Sequence, residues 1–127
     1  RLAQVTKTLA EAGINIRALS LADTSDFGIL RLIVNDTEKA INIMKEAGFT
    51  VGRTAVVAVE VDDKPGGLNN ILEALSGQNV NVEYMYAFVQ EGGGSATMIF
   101  RFDRIDQAIE VLKAKNIPII PADRING

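Results

Sequence analysis

Neither cysteine nor histidine occurs in these 127 residues. The first absence removes thiolate nucleophiles, disulfides and thiolate metal ligands. The second removes the side chain that titrates near neutral pH and most often shuttles protons. A chain without cysteine suits a cytoplasmic protein, since disulfides belong to oxidising compartments. No apolar run approaches the ~20 residues that span a bilayer, and no signal peptide opens the chain. Basic residues are outnumbered, 13 against 16 acidic, for a formal charge of −3. That balance speaks against a dedicated nucleic-acid binder, which carries a basic stripe. What remains is 47% hydrophobic and 23% charged, enough to bury a core in a domain of ordinary size. The expectation is a soluble globular protein poorly equipped for catalysis.

What the chain does contain is a repeat. Offset by 66 positions, Arg1–Ile16 (RLAQVTKTLAEAGINI) lies over Gly67–Val82 (GLNNILEALSGQNVNV). Leu2, Leu9 and Asn15 fall on Leu68, Leu75 and Asn81, and Val5, Ile14 and Ile16 on Ile71, Val80 and Val82. Two extra residues in a glycine loop then change the offset to 68, which places Ala40, Ile41 and Lys45 on Ala108, Ile109 and Lys113. Self-similarity at a fixed spacing is the mark of duplicated supersecondary units.

The second copy is the more complete. Thr54–Val61 alternates β-branched and small residues, as a strand does. Pro65-Gly66 within Asp62–Gly67 marks a turn. Leu68, Ile71, Leu72 and Leu75 are spaced as one buried helical face. Val80–Val89 and Ala96–Phe102 read as a hairpin around Gly92–Gly94. Ile105, Ala108, Ile109 and Leu112 mark a second helix, and Ile117–Ile120 a short edge strand that tolerates Pro118. The order is βαββαβ, an α+β layer of ferredoxin type with helices on one face of an antiparallel sheet. The first copy has the same order but starts in its helix. In the usual strand order 4-1-3-2 the strand ahead of that helix is central, so about ten further residues are expected before Arg1, or another segment in their place.

Val59–Val82 (VEVDDKPGGLNNILEALSGQNVNV) resembles the ACT family, small regulatory domains of amino-acid metabolism. The likeness extends over nearly the whole chain as a tandem pair. ALSLADTSDFGILRLIV and NVEYMYAF narrow it to the short, free-standing tandem-ACT proteins of bacteria and archaea. No catalytic domain of the amino-acid kinase kind accompanies it. The resemblance implies two units, 1–53 and 54–127, a small ligand (commonly an amino acid) where two units meet, no cofactor and no catalytic residue. It also implies side-by-side pairing, which removes exposed sheet edges and points to a homodimer.

The candidate ligand residues follow from the chemistry of a zwitterion. Unpaired N–H groups at the start of the Leu68 helix suit a carboxylate. Gly66 and Gly67 permit close approach to the backbone. Asp62 or Asp63 offers a seat for an ammonium, and the Asn81 amide both donates and accepts. In the first copy Leu2 and Asn15 occupy the matching positions. Asp26, in the first hairpin, is a further candidate. Tyr84 and Tyr86 share a strand face with Phe88 and offer a wall for a ligand side chain; the equivalent positions of the first copy, Ala18, Ser20 and Ala22, are small, which leaves a pocket if the two units face each other. Each of these residues also has a plainer reading, as a turn former or as packing. Three other functions stay open on the residues alone: an enzyme built on Asp, Glu, Lys, Arg or Tyr, an RNA-recognition module of the same strand order, and a pairing module without ligand. Phe100-Arg101-Phe102 invites the RNA comparison, but the stretch from Thr54 onward carries 6 basic against 10 acidic residues, and the glycine-aromatic motif is absent.

Overall fold

The computed structural model describes residues 2–23, 28–89 and 95–121. These form two compact units, one reaching Thr54 and the other starting at Ala55. The first contains α1 (Leu2–Glu11), β1 (Ile16–Asp23), β2 (Gly28–Val34) and α2 (Thr37–Glu46). The second contains β3 (Val57–Asp62), α3 (Gly67–Leu75), β4 (Val82–Val89), β5 (Ser95–Phe102), α4 (Ile105–Ala114) and β6 (Ile119–Ile120). The architecture is α+β with antiparallel sheets, as the repeat pattern implies.

The second unit shows the full strand order. Its sheet runs β4-β5-β3-β6, every neighbour antiparallel. β3 is central, and alternation sends Val57, Val59 and Val61 to one face. There they meet Met98, Phe100 and Phe102 of β5, Ile71 and Leu75 of α3, and Ala108 and Leu112 of α4 in one buried cluster. The Phe100 and Phe102 rings stack with centroids 5.3 Å apart. The other face is buried at its centre too, at Ala58, Thr97 and Ile99.

In the first unit β1 pairs with β2, from Ile16 opposite Val34 to Asp23 opposite Gly28. Leu9, Ile14, Val34, Ala40 and Met44 form its core. Asp36 caps α2, its carboxylate accepting from the Lys39 N–H at 3.1 Å, which fixes where the helix starts.

Four expectations are corrected. β3 starts at Val57 rather than Thr54, because the Ala55 carbonyl is taken by the Arg101 guanidinium at 3.0 Å instead of a ladder partner. β6 shrinks to two residues, because Pro118 has no N–H to give; its carbonyl still accepts from Glu60 N at 3.2 Å. On α3 the buried stripe is Gly67, Ile71, Ala74 and Leu75, while Leu68 and Leu72 stay 36% and 37% exposed. Finally, the stretch that matches β6, residues 49–52, is not a strand in the first unit. In the second unit β6 pairs with central β3, and no equivalent of β3 stands among the described residues of the first. Gly92–Gly94 and Asp26 lie outside the described residues.

Candidate functional site

The chain leaves β3 at Asp62 and must enter α3 at Gly67. It does so through two tight bonds, Lys64 N–H to the Asp62 carbonyl at 2.9 Å and Gly67 N–H to the Lys64 carbonyl at 3.1 Å. Gly66 takes φ 87°, in the left-handed region that suits glycine. Gly67 is needed for a second reason: a Cβ there would collide with the Asp62 carbonyl oxygen. The two glycines thus fold the turn back onto the end of β3, and the close approach is to this chain's own backbone.

The turn presents a polar surface. Asp62, Asp63 and Lys64 are exposed, and the Lys64 ammonium stands 3.7 Å from the Asp62 carboxylate. An exposed pair of this kind contributes little and is readily exchanged for another partner. Gly66 offers no side-chain cap to α3. Gly67 N–H is committed to the turn and Asn70 N–H to the Gly66 carbonyl, so Leu68 and Asn69 supply the N–H groups of the first turn that point beyond the helix. Carboxylates, an ammonium and outward N–H groups therefore lie within one loop, and the half-exposed Leu68 side chain borders it.

Asn81 belongs elsewhere. It precedes β4 at the far end of the sheet: Asp62 is opposite Ser95, whereas Asn81 is joined to Asp103, just past the end of β5. Eight strand residues separate the two places, about 26 Å at 3.3 Å per residue. One amino-acid-sized molecule cannot touch both within a unit, which corrects the expectation that they share a site. The Asn81 N–H donates to Asp103 Oδ1 at 2.8 Å and its side-chain amide to Oδ2 at 3.1 Å, while Asp103 N–H returns to the Asn81 carbonyl at 3.1 Å. These bonds hold the Asp103 carboxyl below the usual aspartate range, the Asn81 backbone N–H most of all, against a smaller opposing effect of desolvation. The first copy repeats the clasp: Asn15 N–H donates to Asn35 Oδ1 at 3.0 Å, and Asn35 N–H to the Asn15 carbonyl at 3.1 Å. The recurring asparagines thus close the open end of each hairpin.

Tyr84 and Tyr86 do share a strand face, away from the helices, with ring centroids 6.4 Å apart and planes 15° from parallel. Both are half-buried. Leu2 lies 43% exposed at the start of α1. It borders a groove of about 520 Å³ in the first unit, lined also by Val5, Leu30, Leu32, Met44 and Val51. The groove lies where the repeat leaves the first copy without its central strand; of its lining residues only Leu2 was a candidate site residue.

Over residues 1–126 the chain matches the family described as the ACT domain pair. The chain belongs to that family. The ACT pair is also similar to a solved bacterial structure, protein BT0572 from Bacteroides thetaiotaomicron, with 40% identity and a TM-score of 0.93 over 99% of this chain and 86% of that one. Among curated proteins none matches. ACT domains are regulatory rather than catalytic, and they bind small ligands, so membership gives this chain a regulatory, ligand-binding role in general terms. Among the described residues no helix is long and apolar enough to cross a membrane.

Proposed function

We propose that this ACT pair is a non-catalytic, cytoplasmic sensor of an amino acid, built of units 1–53 and 54–127 and acting as a homodimer, with ligand held where ACT units meet. The observation that carries the reading is the Asp62–Leu68 turn within a recognised ACT pair. Its outward Leu68 and Asn69 N–H groups suit a carboxylate, and Asp63, with Asp62 once released from Lys64, suits an ammonium. Leu68 supplies an apolar border. Tyr84, Tyr86 and Asp26 are kept as candidates for a wall or an opposing loop, and Leu2 as the first-copy counterpart of Leu68. Asn15 and Asn81 are read as structural clasps.

The test is a thermal-shift screen of the free amino acids. A ligand specific for the native state raises stability by about 2.7 kcal/mol at one hundred times its dissociation constant. Asp63→Asn then weakens the binding of that amino acid about ten- to one-hundredfold by calorimetry, the loss of one bond to a charged group. A screen without any stabiliser removes the sensor reading. It leaves the second one, a pairing module without ligand, which the exposed Leu68 and Leu72 side chains on one flank of α3 favour.

A further inference from the structure

Among the described residues β1 pairs only with β2, which leaves one row of its N–H and C=O groups open to a further strand. Edges of this kind are normally blunted by charge, proline or a bulge. Over Ala18–Ala22 (ALSLA) β1 has none of these. Its one irregularity is the bulge between Ile16 and Ala18, which ends regular pairing at Arg17. Leu19 and Leu21 stand opposite Leu32 and Leu30, and so share the face on which Leu32 packs into the core. Yet they are 50% and 56% exposed. Their place on the edge accounts for it, since Ala87, the counterpart of Leu21 in the four-stranded second unit, is exposed as well. An exposed alanine carries little apolar surface, whereas two neighbouring leucines make a patch.

The sequence of this edge complements itself. Turned end for end about Ser20, Arg17–Asp23 (RALSLAD) places Leu19 on Leu21, Ala18 on Ala22 and Arg17 on Asp23. Two such strands in antiparallel register match apolar with apolar in the middle and opposite charges at both ends, the pairs that stabilise a ladder. β4, an edge of the second unit, lacks this property. At an offset of 66 its Glu83 and Val89 replace Arg17 and Asp23, and Glu83 is already held by Arg101 at 3.1 Å. Pairing of β1 with β4 in the same register sets Asp23 against Glu83, like charge on like. The charges therefore select β1 with β1. Such a contact closes about a two-fold axis and does not run on into a fibre.

We infer that two copies of this chain pair through β1, antiparallel about Ser20, with Leu19 against the partner's Leu21 and position 17 facing the partner's position 23. The inference rests on the homodimer of the proposed function and adds to it which unit, which strand and which register make the contact. Both subunits contribute the same patch, as a two-fold contact requires. The β1–β2 sheet of one subunit continues into that of the other, so both open edges are satisfied at once. The exposed leucines of the two chains meet on the face that carries the core and leave water together.

The test reads self-association by sedimentation equilibrium at low ionic strength, where exposed charges are least screened. Arg17→Asp leaves only negative charge at both ends of the pair, and Asp23→Arg only positive. Each variant alone self-associates about tenfold more weakly than the parent, the cost of turning cross-strand attraction into repulsion. Mixed in equal amounts, the two variants associate with each other as tightly as the parent does with itself. Every 17–23 pair is then again of opposite sign, and Arg17→Asp together with Asp23→Arg in one chain recovers for the same reason. The chain has no cysteine, so Ser20→Cys gives an independent readout should a charge variant fold poorly. Opposed residues of antiparallel strands have Cα atoms about 4.5 or 5.5 Å apart, within the roughly 4.4–6.8 Å that a disulfide spans. Mild oxidation therefore links Ser20→Cys chains into dimers far faster than it links chains carrying Ser76→Cys at the exposed end of α3. A parent dimer indifferent to both charge reversals overturns the proposal and leaves the homodimer standing. So does a mixture that associates no better than either variant alone, or Ser20→Cys linking no faster than Ser76→Cys. A parent that stays monomeric at every concentration overturns both.

Discussion

At Asp103 hydrogen bonding and ionisation are coupled. Its carboxylate accepts from the Asn81 backbone and side chain, and those bonds depress its folded pKa. A depressed carboxyl pKa stabilises the fold above the unfolded value of about 4, and the contribution is lost as pH falls through the folded pKa. Asp103→Asn therefore lowers the melting temperature near pH 7, and its difference from the parent narrows as the solution is acidified below pH 4. Thermal unfolding between pH 3 and 7 measures this. The matching clasp of the first copy is neutral, Asn35 standing where Asp103 stands, so the effect of Asn35→Ala stays flat over that acid range. If the two variants respond alike to acid, the clasp is not the source of the pH dependence. Asn81→Ala should in the same way reduce stability and leave ligand affinity unchanged, a calorimetric result that separates a clasp from a contact.

At the scale of the element, α3 shows which part of an amphipathic pattern reaches the core. Ile71 sits on Val59 and Val61 at 4% exposure, whereas Leu72 lies on the flank. Ile71→Ala is expected to cost about 2–5 kcal/mol, and Leu72→Ala less than about 1 kcal/mol, both read from denaturant unfolding. Gly67→Ala forces a Cβ against the Asp62 carbonyl and should cost about 1–3 kcal/mol, as overpacking does. The helix itself was legible in the sequence, because Leu68, Ile71, Leu72 and Leu75 recur at helical spacing. The buried stripe was not. Gly67 and Ala74 face the sheet, but they carry too little apolar surface to register in a periodicity, while Leu68 and Leu72 register strongly and face outward. Strand ends were blurred for a similar reason. Thr54–Val56 has β-type residues, and only the Arg101 guanidinium on the Ala55 carbonyl decides that pairing starts later.

Across the whole molecule, duplication made the fold readable, since two imperfect copies of one apolar pattern constrain each other. The same duplication says less about the site. Asn15 and Asn81 recur for the geometry of a hairpin end, a requirement both copies share whether or not either holds a ligand. Chain order also hides distance: the turn at Asp62 and the asparagine at 81 are separated by α3, which carries the chain from one end of the sheet to the other. In the proposed reading, ligand occupies the junction between ACT units, so ligand binding and self-association are linked and each must strengthen the other by the same factor. Two outcomes can be distinguished by sedimentation equilibrium with and without the amino acid that stabilises the protein in the screen. A junction between subunits tightens the dimer about 5- to 150-fold at saturating ligand, the usual range of such coupling. Unchanged dimerisation with undiminished ligand affinity places the ligand within one chain, where Asp63→Asn still weakens it but subunit association is indifferent to it.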